Sequence, residues 1–241
     1  MKKRIMKATT NAVPKHIGII LDGNRRFAKR LMMKPWKGHE WGAKKVEKLF
    51  EWCAELNIKE LTLYALSVEN FNRPKKEFDY LMNLCRKEFA RYENHPKVEE
   101  NKIRINVIGR TWMLPKDIQE MIGRITEKTK KHDRYIINFA LAYGGRAEVI
   151  DATKKIAEQV KAGTLDIDKI NEESFAKELY TADEPELVIR TGGERRTSNF
   201  LLWQSHYAEW MFLEKMWPEF DKKDLAACID DFATRKRRFG R

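Results

Sequence analysis

Apolar residues along this chain follow two alternating rhythms. Short, mostly apolar runs cover residues 16–21, 61–66, 103–108, 135–142, 187–191 and 208–213, of which 103–108 alternates. Runs of that length, apolar on successive positions, read as strands buried on both faces. Between them apolar positions recur every three or four residues, which predicts helices over 38–57, 75–92, 115–132, 147–162 and, after the last strand, 221–238. Alternating strand and helix implies an α/β fold, with a mainly parallel six-stranded sheet flanked by helices. No repeat or low-complexity linker divides it. Residues 1–15 read as a basic N-terminal tail and residues 16–241 as one domain.

Composition narrows the class. A chain of 241 residues, 42% hydrophobic and 11% aromatic, can fill the core of one large domain, and its 35% charged content argues for a soluble surface. No run approaches the roughly 18 apolar residues of a membrane span, and the opening MKKRIMKATT lacks a secretory signal's apolar stretch. Cys53, Cys85 and Cys228 form no Cys-x-x-Cys pair, which predicts a reduced, cytoplasmic setting. The net charge of +12 is concentrated at the ends: Lys2, Lys3, Arg4 and Lys7 at one, and Arg235, Lys236, Arg237, Arg238 and Arg241 at the other. Such ends suit an anionic membrane surface or nucleic acid, or are simply solvated tails.

The segments after the strands carry the chemistry. Asp22-Gly-Asn-Arg-Arg26 follows the first, Ser67-Val-Glu-Asn-Phe-Asn-Arg73 the second, Gly109-Arg110 the third, Gly144-Gly-Arg146 the fourth, and Gly192-Gly-Glu-Arg-Arg-Thr-Ser198 the fifth. Open parallel sheets bind ligands beyond the carboxyl ends of their strands. There, glycines let backbone N–H groups approach a phosphate and arginines offer planar, bidentate donors. The chain has neither a Gly-x-x-x-x-Gly-Lys-Ser/Thr loop nor a Gly-x-Gly-x-x-Gly after its first strand, so nucleotide sites of those kinds are disfavoured. Asp22 beside phosphate donors suits Mg²⁺; an Asx turn or an ion pair with Arg25 would explain it equally well.

The helix over 75–92 carries Phe78, Leu81, Met82, Cys85, Phe89 and Tyr92 at helical spacing, and the helix over 38–57 carries Val46, Leu49, Phe50, Cys53 and Leu56. Such stripes ordinarily form core. Where the two faces do not close, they leave an apolar slot leading away from the phosphate loops, suited to a ligand with an anionic head and an apolar tail.

From His16 to Gly240 the chain resembles the cis-prenyltransferase family, whose best-known members are undecaprenyl diphosphate synthases. The resemblance rests on HIGIILDGNRRFAK, LTLYALSVENFNRP, FALAYGGR, LVIRTGGERRTSNFLLWQ, YAEWMF and the terminal RRFG, in order and at spacing. It implies a homodimeric α/β enzyme that condenses an allylic prenyl diphosphate with isopentenyl diphosphate to give a cis-polyprenyl diphosphate, a lipid-carrier precursor. Asp22 then becomes the Mg²⁺-binding carboxylate, completed by Glu209 from the same chain or across the dimer interface. Asp22, Asn24 and Arg26 become the catalytic group, Asn24 positioning a proton transfer for which a phosphate oxygen is the better acceptor. Gly23, Arg25, Phe27 and His39 fall around the allylic diphosphate. Ser67, Asn70, Phe71 and Arg73 line the junction of the two substrates, and Arg190, Arg196 and Ser198 grip isopentenyl diphosphate. Arg238 and Gly240 belong to a terminal motif that closes the partner subunit's site. The tunnel would take Val46, Phe50, Phe78, Leu81, Met82, Cys85, Phe89 and Tyr135.

One departure bears on substrate choice. The family commonly has an arginine four residues before the motif histidine; here that position is Pro35, flanked by Lys34 and Lys37. Lys34 is the candidate replacement, although an ammonium is not a bidentate guanidinium. An altered allylic preference or an unusual condensation follows as an expectation. Phe27 stands where tryptophan is frequent, and Arg195 fills a variable position. A non-catalytic family subunit is disfavoured because Asp22, Arg26, Arg190, Arg196 and Ser198 are all present. A nucleic-acid binder is disfavoured by the lack of a binding motif and by basic charge at the ends instead of along a face.

Overall fold

Each apolar run is a strand in the computed structural model, which describes residues 13–235. The strands are β1 (His16–Ile20), β2 (Glu60–Ser67), β3 (Ile103–Ile108), β4 (Tyr135–Tyr143), β5 (Leu187–Arg190) and β6 (Glu209–Phe212). They pair in parallel throughout, in the order β3-β4-β2-β1-β5-β6. All five residues of β1 are buried, as expected of a central strand covered on both faces. From β1 the chain passes to β2 beside it, goes on to β3 at the edge, returns to insert β4 between β3 and β2, and then crosses to the other side of β1 for β5 and β6. The strand order therefore reverses between β1 and β5, and a crevice opens at their carboxyl ends.

Among the described residues eight α-helices accompany the sheet: α1 (Asn24–Arg30), α2 (Gly38–Glu55), α3 (Lys75–Glu93), α4 (Pro96–Glu100), α5 (Lys116–Thr129), α6 (Gly145–Lys161), α7 (Glu172–Ala176) and α8 (Lys222–Thr234). The five long ones sit within a few residues of the predicted spans. The predicted end of the last helix at 238 lies outside the described residues; within them, α8 gives way to extended backbone at Arg235 (φ −79°, ψ 131°). Three short helices escaped the periodicity because none completes two turns. The larger core lies on one side of the sheet, where Ile19, Leu63 and Ile105 are fully buried together with Leu49 of α2, Ile118 of α5 and Leu225 of α8. A smaller cluster, centred on Tyr64, Val188 and Phe200, covers the other side near the carboxyl ends.

At the amino half of the sheet a polar ladder crosses four strands. His16 Nε2 lies 2.8 Å from Thr62 Oγ1, Asn138 Nδ2 donates to Glu60 Oε1 (2.6 Å) and Thr62 Oγ1 (3.1 Å), and Asn106 Nδ2 donates to Asn138 Oδ1 (2.9 Å). Buried amides and hydroxyls are tolerated when paired in this way. Burial lowers the His16 pKa to about 4. Burial, with the nearby Asp183 carboxylate, pushes Glu60 up to about 7. A carboxyl that holds its proton more tightly when folded favours the native state below its unfolded pKa, and that stability is lost as pH rises through 7. Glu60→Gln keeps an acceptor for Asn138 and removes the charge. It is expected to be more stable than the parent at pH 8 by about 2 kcal/mol and nearly equal at pH 5. Urea unfolding at the two pH values tests this; equal gains at both would reject it.

Candidate active site

Leu21-Asp22-Gly23 follows β1, and two other elements pin the backbone there. Asp22 carbonyl oxygen accepts from Thr191 Oγ1 at the end of β5 and from the Trp217 N–H, both at 2.9 Å. Gly23 adopts φ 101°, and a β-carbon would meet Met216 at 2.8 Å, so only glycine turns the chain into α1 here. The Asp22 carboxylate accepts from Gly23 N–H (2.6 Å) and Arg26 Nη2 (3.3 Å) through Oδ1, and from Arg190 Nη2 (2.8 Å) through Oδ2. Its side chain keeps 30% of its surface exposed, whereas Arg190 keeps 4%. Arg25, the alternative partner suggested by the sequence, pairs with Glu77 at 3.6 Å.

Arg190 organises the opposite wall. Its Nη1 donates to the Arg196 carbonyl and to Ser198 Oγ (2.7 Å), while its buried Nε has no hydrogen-bond partner. Glu194 spans the mouth, pairing with Arg26 (3.4 Å) and Arg196 (2.6 Å). Ser198 and Asn199 both have positive φ, at 48° and 65°. For non-glycine residues that conformation costs about 1 kcal/mol each. Contacts on both sides hold them there: Tyr64 Oη donates to the Ser198 carbonyl (3.3 Å), and Asn199 accepts from Gly145 and Arg146 N–H at the start of α6. On the third side Arg73 meets Glu77 at 2.5 Å. His39 lies between Arg25 and Arg73; burial, then these two cations, lowers its pKa to about 4, so it is neutral near pH 7. Its Nε2 has no partner, nor does Asn24 Oδ1. Orphaned donors and acceptors gathered around one opening mark a place where a polar ligand completes the bonding.

That opening leads into a cavity of about 710 Å³. The inner wall is apolar: Val46 from α2, Leu81, Leu84, Cys85 and Phe89 from α3, and Leu66, Phe139 and Leu141 from the sheet. Burial pushes the Cys85 thiol up to about 12, leaving it an inert apolar lining group. Glu88 also reaches the wall, where burial raises its pKa and Arg91 pairs with it at 2.5 Å.

The predicted site residues divide cleanly. Asp22, Gly23, Asn24, Arg25, Arg26, His39, Ser67, Asn70, Arg73, Arg190, Arg196 and Ser198 all line the cavity. Lys34 does not. The turn closing α1 and the 3-10 turn Pro35–Lys37 carry it to the surface, its ammonium 5.7 Å from the Trp36 ring. Phe27 packs against Trp41 and Phe71 against Phe78, both outside the lining. Of the tunnel residues, Val46, Leu81, Cys85 and Phe89 line this cavity. Phe50 and Tyr135 line a second one of about 70 Å³, Met82 is core, and Phe78 is half-buried beside Phe71. Glu209 pairs with Arg235 (2.7 Å) at the amino end of β6, the far end from Asp22, so one chain cannot join the two acids at a metal. Among the described residues no three acidic, His or Cys side chains cluster as a metal cage. Arg238 and Gly240 lie outside the described residues. The sequence reading passed over Tyr64, Glu77 and Trp217, whose side chains looked like ordinary strand, helix and loop residues.

A parallel sheet whose switch-point crevice is ringed by arginines and opens onto an apolar cavity defines a protein that binds amphiphilic phosphates. The prenyltransferase family model described as "Putative undecaprenyl diphosphate synthase" matches residues 20–240. The tritrans,polycis-undecaprenyl-diphosphate synthase (geranylgeranyl-diphosphate specific) of Methanopyrus kandleri is 46% identical over 245 residues, covering 100% of this chain and 90% of that protein. Its namesake from Pyrococcus horikoshii is 47% identical over 239 residues, covering 98% and 90%. Among solved structures, lavandulyl diphosphate synthase from Lavandula x intermedia, in complex with dimethylallyl diphosphate, superposes with TM-score 0.88 at 34% identity, covering 95% of this chain and 99% of that one. A probable undecaprenyl diphosphate synthase from Campylobacter jejuni gives 0.79 at 35% identity, with the same coverage. The chain belongs to the undecaprenyl diphosphate synthase family. It is a cis-prenyltransferase, condensing an allylic diphosphate with isopentenyl diphosphate.

Proposed function

We propose that this enzyme extends geranylgeranyl diphosphate by repeated cis additions of isopentenyl diphosphate, giving a long polyprenyl diphosphate used as a lipid-carrier precursor. The observation that carries the reading is the continuity of an arginine-ringed mouth holding Asp22 with an apolar cavity of about 710 Å³. Each five-carbon unit moved from water gains up to about 4 kcal/mol, which an apolar wall supplies and an aqueous groove does not. The primer preference follows the geranylgeranyl-diphosphate specificity that the Methanopyrus kandleri and Pyrococcus horikoshii relatives carry in their names.

In this reading Arg25, Arg26 and His39 hold the allylic diphosphate and Arg190, Arg196 and Ser198 hold isopentenyl diphosphate, with Ser67, Asn70 and Arg73 between them. The allylic carbon–oxygen bond breaks and diphosphate leaves with its electron pair. The double bond of isopentenyl diphosphate then bonds to the allylic carbon, and the proton released from its second carbon passes to a phosphate oxygen. Arg26 and Arg190 stabilise the charge gathering on the phosphates, and their fixed positions minimise reorganisation as it does so. Asn24, with its free Oδ1, orients the reacting end.

Magnesium fits Asp22: a part-exposed carboxylate among phosphate donors is the usual Mg²⁺ arrangement, the other ligands being phosphate oxygens and water. When bound, the ion neutralises charge on the departing diphosphate. Homodimerisation belongs to the same reading, since Glu209 can serve that metal only from a second copy. So does peripheral contact with a membrane, given the +12 charge and the apolar product.

The test is to incubate the purified protein with Mg²⁺, labelled isopentenyl diphosphate and primers of ten, fifteen and twenty carbons, reading the lipids by mass spectrometry. Preference for the twenty-carbon primer is expected; absence of any elongation would reject the reading. By the family resemblance, Pro35→Arg restores a guanidinium that contacts the allylic diphosphate, so less tail binding is needed. It is expected to raise kcat/KM for the shorter primers, relative to the longest, by about 3- to 10-fold. An unchanged ratio counts against a role for this position.

A further inference from the structure

The end of α1 displays an apolar tip that nothing in the described chain covers. Met32 is 97% exposed, Leu31 44% and Trp41 of α2 50%. Phe27 links two of them, since its ring lies 5.8 Å from that of Trp41 and Leu31 stands one helical turn beyond it, and Met32 follows Leu31 directly in the turn.

Met32 is unusual twice over. It closes α1 in a Schellman turn, its N–H bonding the Lys29 carbonyl and the Met33 N–H the Ala28 carbonyl, both at 2.9 Å. Its φ is 54°, the conformation glycine adopts without penalty. A methionine there carries backbone strain and also leaves its side chain in water, and burial against the described residues offsets neither cost.

Cations frame the tip. Between Asp22 and Glu40 the chain has six basic residues and no acid. Four have acidic partners: Arg25 with Glu77, Arg26 with Asp22 and Glu194, Arg30 with Glu219, and Lys37 with Glu40. Lys29 and Lys34 are exposed and have no ion pair among the described residues, and Lys44 and Lys48 extend the charge along the outer side of α2.

We infer that the α1–α2 turn is the surface by which this enzyme docks on an anionic lipid bilayer, with Leu31, Met32 and Trp41 entering the headgroup layer and Lys29 and Lys34 meeting its charge. Exposed apolar side chains, a tryptophan at their margin and unpaired lysines around them suit a membrane interface, because one end of the patch sheds water while the other keeps it. A protein partner would more often meet aromatic and arginine anchors with few lysines. Location adds a reason. α1 starts at the cavity mouth with Asn24 and is seven residues long, about 10 Å, so docking its far end brings the mouth within reach of lipid-dissolved primer. The proposal deepens the membrane contact inferred above and rests on that reading for its class of partner.

The test measures sedimentation of the purified full chain with phosphatidylglycerol vesicles, without substrate, against phosphatidylcholine vesicles as control. The parent protein is expected to bind the anionic vesicles preferentially and less in high salt. Met32→Asp, which suits the positive φ, is expected to lower binding about tenfold, and Lys29→Glu about fivefold or more. Both should leave turnover on detergent-solubilised substrate unchanged. Met32→Gly separates docking from a structural role: it should raise Tm yet weaken vesicle binding. If the parent ignores anionic vesicles, the membrane reading itself fails. If it binds but the Met32 variants bind equally, only the assignment to this turn fails. Should Met32→Asp instead change the sedimenting mass in vesicle-free buffer, the patch covers a second copy of the chain and the proposal is overturned.

Discussion

Asp22→Asn is expected to lower kcat/KM for prenyl transfer by about 10³-fold or more, equivalent to roughly 4 kcal/mol of transition-state stabilisation. Asparagine has the same shape and still accepts from the Gly23 N–H, so the turn that starts α1 should persist. What disappears is the negative charge. It is the candidate metal ligand, and also the only carboxylate that contacts Arg190 among the described ion pairs. Because the Arg190 side chain is 4% exposed, removing its counter-charge leaves a buried guanidinium uncompensated, at a cost of about 3 kcal/mol. The variant should therefore melt at lower temperature, and inorganic pyrophosphate should restore much of the loss by supplying anionic partners in the same place. Recovery of Tm without recovery of turnover would separate the catalytic contribution of Asp22 from its structural one. Turnover within threefold of the parent would remove Asp22 from the chemistry altogether.

The sheet was legible because central strands buried on both faces must be apolar at nearly successive positions, as β1 and β5 are, while edge strand β3 alternates apolar residues with Arg104 and Asn106. Helix periodicity carried α2, α3, α5, α6 and α8 for the same reason. The mouth was legible because Gly, Arg and hydroxyl residues at strand ends have few structural reasons to recur there. What stayed hidden depended on where side chains meet. The apolar stripe of α3 is shared between jobs: Leu81, Cys85 and Phe89 line the cavity, Met82 is in the core, and Phe78 stacks near Phe71. No spacing separates neighbours on one helical face when the cavity boundary cuts through that face. Lys34 was placed in the site by its position near Pro35, but the turn closing α1 projects it outward. Glu209 was implied as a ligand only by the family resemblance; the parallel register, pairing it with Leu187 at the amino end of β5, sets it at the opposite end of the sheet from Asp22 of the same chain.

The second large effect concerns Gly42, inside α2, where glycine is normally unfavourable by about 1 kcal/mol relative to alanine. Helix propensity alone would favour Gly42→Ala. Packing opposes it. A β-carbon at this position would lie 2.3 Å from Asn24 Oδ1 and 2.9 Å from Trp217 Cδ1. Neither neighbour can yield easily. Trp217 is fully buried, its indole N–H donates to the Gly42 carbonyl at 3.0 Å, and its backbone N–H donates to the Asp22 carbonyl at 2.9 Å. Asn24 is anchored by its own amide to the Leu21 carbonyl at 2.8 Å. Overpacking of this kind costs about 3 kcal/mol, so the net loss after the propensity gain is about 2 kcal/mol, a fall in Tm of roughly 4–8 °C. Because the displaced groups hold Asp22 and Asn24, kcat should fall about 10- to 100-fold even where the variant is fully folded. Gly123→Ala is the matched control. Gly123 lies inside α5 with nothing within 4 Å of its would-be β-carbon, so alanine there should raise stability by about 0.5–1 kcal/mol and leave turnover alone. If both substitutions stabilise, the close approach of α2 to Asn24 and Trp217 is not what requires a glycine at 42.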